Sequence, residues 1–364
     1  MFRSANCTGQ VLEKSVQKIQ KLKNASYTEF LKSKFSFQES ADIDTIAAQI
    51  SIDPTEAQIG GYYKLTGKND VDYFDGDKQI ELNLRDTTYK IGKNAITSQN
   101  TRNLLYWINE IRTFLKTPAQ IKQLNDTIID EKAYYQFLYT QPNTINQNKK
   151  TYSFTYIIID KQTMLPYAFK LDALGTIDDG TLMGLTEEHT YSAYKLNQTN
   201  FPNLTDATVP SNFKLYVSAK RPAPLPPGTK APALKLSDMQ GNRFDIEKLK
   251  GKVVLIDFTG IGCPHCANAV GMLNNLNKKY KGLGLEIVSV YSLESNKKEA
   301  ITKFDKRFAV TYPSYTIEKD AKEYHLQGVP DFYLVDRTGT ITKHYEGFYA
   351  ELEQQLIAKI EDIK

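Results

Sequence analysis

The sequence predicts two domains. The first is an α+β domain built on an antiparallel sheet with helices, and the second an α/β domain with a mixed sheet and helices on both faces. Three observations carry this. At 364 residues the chain is long enough for two cores. The run Arg221-Pro222-Ala223-Pro224-Leu225-Pro226-Pro227-Gly228 reads as extended and semi-rigid, a spacer rather than a core segment. The pattern changes across that run, from many strand-like stretches before it to alternating strands and helices after it. The predicted boundaries are 8–220 for the first domain, 221–227 for the linker and 228–364 for the second domain.

In chain order, Thr8–Leu22 reads as an amphipathic helix with Thr8 as its cap. Strand-like runs follow at Tyr27–Phe37, Gly60–Thr66, Asp70–Phe74, Gln79–Leu84 and Thr87–Ile91. Leu104, Leu105, Trp107, Ile108, Ile111, Phe114 and Leu115 recur at helical spacing. Two further helical segments are expected around Pro118–Ile128 and Glu131–Tyr139, then a polar loop at Asn143–Lys150. Strands resume at Thr151–Ile159, Leu165–Leu171 and Thr186–Lys195.

Beyond the linker, Val253–Phe258 is a short apolar run, the mark of a buried strand, and Cys263–Tyr280 is helix-like. Leu285–Tyr291 is the next strand and Asn296–Phe308 a helix. Phe332–Asp336, the turn Arg337-Thr338-Gly339 and Thr340–Glu346 form a hairpin, and Ala350–Ile363 closes the chain as a helix. A βαβ unit followed by a hairpin requires a mixed sheet.

Composition narrows the function. The chain is 41% hydrophobic and 24% charged, with a net charge of +4 and no long basic run, so nucleic-acid binding is not expected. No apolar stretch approaches membrane-spanning length, and no secretory signal is visible at Met1-Phe2-Arg3-Ser4. Three cysteines, Cys7, Cys263 and Cys266, exclude a disulfide scaffold. The four histidines are scattered, and only His265 is near a cysteine, so no metal site is expected. Cys7 reads either as a lipoprotein cysteine or as a terminal thiol without a role. Ser4-Ala5-Asn6 lacks the apolar run and the small residue that the first reading needs.

The chemistry concentrates at Cys263-Pro264-His265-Cys266. Two cysteines at this spacing can hold a disulfide or pass it to another protein. Pro264 suits the first turn of a helix, which puts Cys263 beside unsatisfied N–H groups and the positive end of the helix dipole. That setting favours the reactive thiolate. Cys263 is then the attacking thiol and Cys266 the resolving one. His265 either tunes the Cys263 sulfur or is a solvated surface residue. Asp257 sits in an apolar strand, where a carboxyl is costly unless paired or used. It reads as a hydrogen-bonded core residue or, with a raised pKa, as the group that takes the Cys266 proton. Pro330, in a cis peptide with Val329, would lie against the cysteine pair and present the Val329 backbone to an extended client. An ordinary trans edge proline is the plain alternative.

Residues 228–364 resemble the thioredoxin superfamily in its extracytoplasmic TlpA/ResA-like branch. The matching pieces are Gly228-Thr229-Lys230-Ala231-Pro232-Ala233-Leu234, the strand from Leu249 to Phe258, the Cys-x-x-Cys, Gly328-Val329-Pro330 and Leu334–Ile341. The long gap from Cys263 to Pro330 fits an insertion seen in this branch. The resemblance implies a thioredoxin-like fold and a disulfide reductase in the periplasm or cell envelope, membrane-anchored or free. It implies no cofactor beyond the redox-active disulfide. Its partners would be proteins bearing thiols or disulfides and a membrane-bound electron donor or acceptor.

There are departures. Gly262 stands where the family has Trp, and Gly271 where it has a helix-kinking Pro. Pro264-His265 and Val329 resemble DsbA-type oxidases, whereas Asp257 matches thioredoxin, so the two hints about direction oppose each other. The first domain resembles the LolA-like half-barrel of lipoprotein carriers, through Tyr73-Phe74-Asp75-Gly76-Asp77, Ile159–Pro166 and Tyr194-Lys195-Leu196-Asn197 ahead of Val209-Pro210. That resemblance implies an apolar cavity for an acyl chain or an apolar client segment. Two other functions compete with the oxidoreductase. One is a lipid- or lipoprotein-binding protein with an accessory redox domain. The other is a thiol peroxidase, which would want Thr or Ser where Gly260 stands.

Overall fold

The structure, a computed structural model, describes residues 5–38, 40–93, 103–141, 145–146, 149–176, 182–217, 221–292, 298–317 and 321–363. The chain forms two compact units, Met1–Thr176 with Leu182–Ser218 and then Ala219–Lys364.

In the first unit, helix α1 (Ala5–Gln20) precedes strands β1 (Asn24–Phe35), β2 (Asp42–Ile52), β3 (Gly61–Thr66), β4 (Asp70–Phe74), β5 (Gln79–Asn83) and β6 (Thr88–Gly92). Helix α2 (Leu104–Phe114) follows, then β7 (Ile121–Gln123), β8 (Thr127–Ile129), β9 (Lys132–Gln141), the hairpin β10 (Ile145–Asn146) and β11 (Lys149–Lys150), β12 (Tyr152–Asp160), β13 (Pro166–Thr176), β14 (Leu182–Leu196) and β15 (Lys214–Leu215). Thirteen strands make one open sheet, antiparallel except where β15 joins β6, with β1 pairing β14 at its centre. Both helices lie on one face. Leu12, Val16 and Ile19 of α1 and Leu104, Trp107, Ile108 and Ile111 of α2 pack on Ile50, Tyr63, Phe137 and Phe169 of the sheet. This is the antiparallel, half-barrel-like sheet with helices that the sequence predicts, and its strands do not close into a barrel.

Two expected helices are not present. Pro118–Gln120 is a single 3₁₀ turn, and Glu131–Tyr139 is mostly β9. The reason is side-chain type. Ala133-Tyr134-Tyr135-Gln136-Phe137-Leu138-Tyr139 is aromatic-rich, and such residues pack best on a pleated surface. β9 buries Tyr134, Phe137 and Tyr139 and pairs with β12 over eight residues. The expected loop at Asn143–Lys150 contains the β10–β11 hairpin. α1 begins at Ala5, so Thr8 lies inside the helix rather than capping it; the Cys7 side chain is outside the described residues. α2 does have a cap, since Asn103 Oδ1 accepts the Leu105 N–H at 2.9 Å.

The second unit contains β16 (Lys235–Asp238), β17 (Arg243–Asp245), β18 (Val253–Thr259), α3 (Pro264–Tyr280), β19 (Leu285–Tyr291), α4 (Lys298–Arg307), β20 (Ser314–Ile317), β21 (Asp331–Val335), β22 (Ile341–Glu346) and α5 (Leu352–Ile363). The sheet order is β17-β16-β20-β19-β18-β21-β22, with β18 parallel to β19 and antiparallel to β21. Every residue of β18 is buried, as a central strand covered on both faces must be. Val253, Leu255 and Phe332 pack on α3 and α5, while Ile301 and Phe304 of α4 meet Val270 and Tyr291. The opposite face carries Val254, Ile256 and Phe258 against Leu234, Leu236 and the 3₁₀ turn holding Tyr324.

Part of the Pro-rich run is not a free spacer. Gln327 Nε2 donates to the Pro222 carbonyl at 2.8 Å, His325 Nδ1 lies 2.8 Å from the Ala223 carbonyl, and Leu225 N–H donates to Tyr333 Oη. Proline lacks its own N–H but keeps its carbonyl, so neighbouring side chains can hold such a segment from outside.

Candidate active site

The fold builds the site at the end of β18. That strand runs into a short loop, and α3 begins at Pro264 with Cys263 as its N-cap. Cys263 Sγ accepts the Cys266 N–H at 3.3 Å, so the sulfur does what a Ser or Asp oxygen does in an ordinary cap. The same Sγ donates its proton to the Val329 carbonyl, also at 3.3 Å. Val329-Pro330 is a cis peptide. The loop before β21 therefore meets the first turn of α3 at the Cys263 sulfur. Both Cys263 and Cys266 are free thiols.

The two sulfurs differ in setting. Cys263 is half-buried, and its pKa is pushed down to about 7. Hydrogen bonding from Cys266 is the main cause, opposed by partial burial and helped by the electrostatic influence of His265. Cys266 is 2% exposed, and burial holds its thiol well above the usual range, with the neighbouring Cys263 adding to the rise. A nucleophile at the surface and a protonated partner beneath it is the asymmetry that sequential attack requires.

Asp257 lies below this pair. It is 2% exposed, and burial pushes its carboxyl up to about 7, against a donated hydrogen bond from Ser289 Oγ to Oδ2 at 2.9 Å. Oδ1 has no hydrogen-bond partner and remains buried. Strand register explains the contact, because Asp257 on β18 sits opposite Ser289 on β19. The two share the sheet face on which α3 packs, and the Asp257 charge is felt at Cys266. A carboxyl near neutral pKa, with a free oxygen, can accept a proton at physiological pH.

Six of the seven residues singled out by sequence thus meet through direct contacts or charge: Cys263, Cys266, His265, Asp257, Val329 and Pro330. Pro264 supplies the first position of α3. Sequence reading passed over Ser289, which carries no signal of its own in Leu285–Tyr291, a run that also holds Glu286 and Tyr291. It also passed over Thr259, buried at the end of β18 and hydrogen-bonded to the Cys266 thiol, and Asp331, fully buried directly after Pro330. Among the described residues no cluster of His, Cys, Asp and Glu is arranged to hold a metal ion.

Comparison with known proteins bears on the same region. Residues 226–358 match the Redoxin family model. The thiol-disulfide oxidoreductase ResA of Bacillus cereus is 30% identical over 124 residues, covering 33% of this chain and 69% of that protein. ResA of Bacillus subtilis is 32% identical over 127 residues, covering 34% of this chain and 69% of the relative. Among solved structures, the thioredoxin domain of a thiol-disulfide oxidoreductase from Bacteroides vulgatus aligns at 25% identity and a TM-score of 0.34, over 38% of this chain and 99% of that one.

Proposed function

The chain belongs to the ResA-like thiol-disulfide oxidoreductases of the thioredoxin superfamily, and from that premise we propose that it reduces disulfides of protein clients in the cell envelope. The observation that carries the reading is geometric: the half-buried Cys263 thiol caps α3 against the Val329 carbonyl with Cys266 buried behind it. A Cys263 pKa lowered only to about 7 favours the reducing direction. Thioredoxin's attacking cysteine lies at about 7 and that of the oxidant DsbA at about 3.5, and a less acidic thiol accompanies a more reducing couple. The envelope location follows from the extracytoplasmic branch that the second domain resembles. No helix among the described residues is long and apolar enough to cross a membrane.

The reaction runs in two displacements. The Cys263 thiolate attacks one sulfur of the client disulfide. A Cys263–client S–S bond forms, the client S–S bond breaks, and the second client sulfur leaves as a thiolate that takes a proton from solvent. Asp257 then accepts the Cys266 proton, and the Cys266 thiolate attacks Cys263 Sγ. The Cys263–Cys266 disulfide forms, and the first client sulfur departs and is protonated. The client gains two electrons and two protons, and the protein is left oxidised. A membrane-bound thiol donor returns it to the dithiol. Cys266 stays protonated until the mixed disulfide exists because burial opposes its charge. The Val329 backbone offers an extended client a main-chain pairing edge beside Cys263.

The test is turnover of a disulfide-bearing protein by the pre-reduced enzyme and by Cys263→Ser/Cys266→Ala. Wild type is expected to reduce the client stoichiometrically and the double variant not at all. Equal turnover by both overturns the reading.

A further inference from the structure

The Val329 carbonyl is held at the Cys263 sulfur by residues outside the redox pair. Asp331 follows Pro330, opens β21 and is fully buried. A carboxylate in that position must be satisfied, and both of its oxygens are. Oδ2 accepts the Gln327 N–H at 2.9 Å, and Oδ1 meets His344 Nε2 on β22 at 2.5 Å. One carboxylate thus ties the start of the 327–330 loop to its end and to the neighbouring strand. Gly347 N–H donates to the Pro330 carbonyl at 3.0 Å, and the His344 ring packs against Tyr333. On its other side Gln327 donates Nε2 to the carbonyls of His325 and Pro222, at 2.6 and 2.8 Å. The loop is therefore clamped between the β21–β22 hairpin and the Pro-rich strap.

We propose that Asp331 and Gln327 are positioning residues that hold the Val329 backbone in register with Cys263, so that an extended peptide client can pair with it. This rests on the thiol-disulfide reading above. A main-chain hydrogen bond tolerates only a few tenths of an ångström before it weakens. A loop released at either clamp therefore loses client pairing first. A small-molecule disulfide has no backbone to pair and needs only the Cys263 thiolate, so it is insensitive to the clamp.

The experiment compares two substrates of the pre-reduced full chain: an extended peptide closed by one disulfide, and oxidised glutathione in excess. For Asp331→Ala the apparent KM for the peptide is expected to rise about tenfold with the glutathione rate within about twofold of wild type, the loss of one to two hydrogen bonds. Asp331→Asn keeps an acceptor for the Gln327 N–H and is expected to restore the peptide KM. Gln327→Ala cuts the strap at a partly exposed site without emptying a buried position, and is expected to raise the peptide KM about threefold. It remains decisive if Asp331→Ala does not fold. An unchanged peptide KM in Gln327→Ala, or equal losses on both substrates in a folded Asp331→Ala, overturns the positioning role. A Cys263→Ser protein that still reduces glutathione overturns the underlying reading instead.

Discussion

Replacing Asp257 by Asn removes a buried charge and keeps the shape. The carboxyl lies at about 7 against an ordinary 3.8. Between those values the unfolded chain has released this proton and the folded protein still holds it. The unfolded state binds fewer protons there, so stability falls as pH rises from about 4 to about 7 and the full cost stands above 7. That interval corresponds to roughly 4 kcal/mol. Asn is neutral throughout and can still accept the Ser289 hydroxyl, so it escapes the cost. The second unit of Asp257→Asn is therefore expected to match wild type near pH 4 and to exceed it by about 2–4 kcal/mol at pH 8. Amide exchange over Val253–Thr259, compared between variant and wild type at one pH, cancels the intrinsic rate and reads this difference directly. The expected gain in protection is about 30- to 10³-fold at pH 8 and near unity at pH 4. The same ratio at both pH values would refute the buried-carboxyl argument. The stabilised variant should also resolve mixed disulfides more slowly, because Cys266 loses its proton acceptor.

Other outcomes follow from the same geometry. Alkylation of Cys263 by iodoacetamide should rise with a midpoint near pH 7, while Cys266 stays unreactive through pH 9, as mass spectrometry of the 263–266 peptide can show. Cys266→Ser should trap a covalent client adduct that survives non-reducing electrophoresis and dissolves on adding dithiothreitol; rapid release without reductant would contradict the resolving role. In the first unit, His189 Nδ1 lies 2.7 Å from Glu29 Oε1, both fully buried. Burial opposes its charge, but Glu187 and Glu29 outweigh it and raise the His189 pKa. A raised histidine stabilises fully below about 6.5 and loses that contribution as pH rises through its folded value. Trp107, the sole tryptophan, sits on this histidine. Its fluorescence should report a urea midpoint for the first unit that falls above pH 6.5 in wild type and is flatter in His189→Gln.

Most of the second unit was legible because its signals are local. A run that is apolar but for Asp257 predicts β18, and Pro264 at the first helical position predicts where α3 begins. The site was legible because a thioredoxin-like pattern places Asp257, Cys263 and Pro330 in fixed order. The errors came where tertiary pairing decides. Tyr134–Tyr139 carries apolar residues at spacings that suit either a helix or a strand, and only pairing with β12 settles it. β16, β17 and β20 carry little sequence signal because they are only three or four residues long, while β2, eleven residues long, alternates irregularly and is fixed by pairing with β1 and β3. Ser289 and Asp331 matter only through register and long-range contact, which no single-residue signal reveals.

The reduction potential of the Cys263–Cys266 couple tests the central claim most directly, by equilibration of the full chain against glutathione and dithiothreitol buffers. The account predicts a value close to thioredoxin's, about −270 mV. A value near DsbA's, about −120 mV, would contradict it and make the protein an oxidant of its clients.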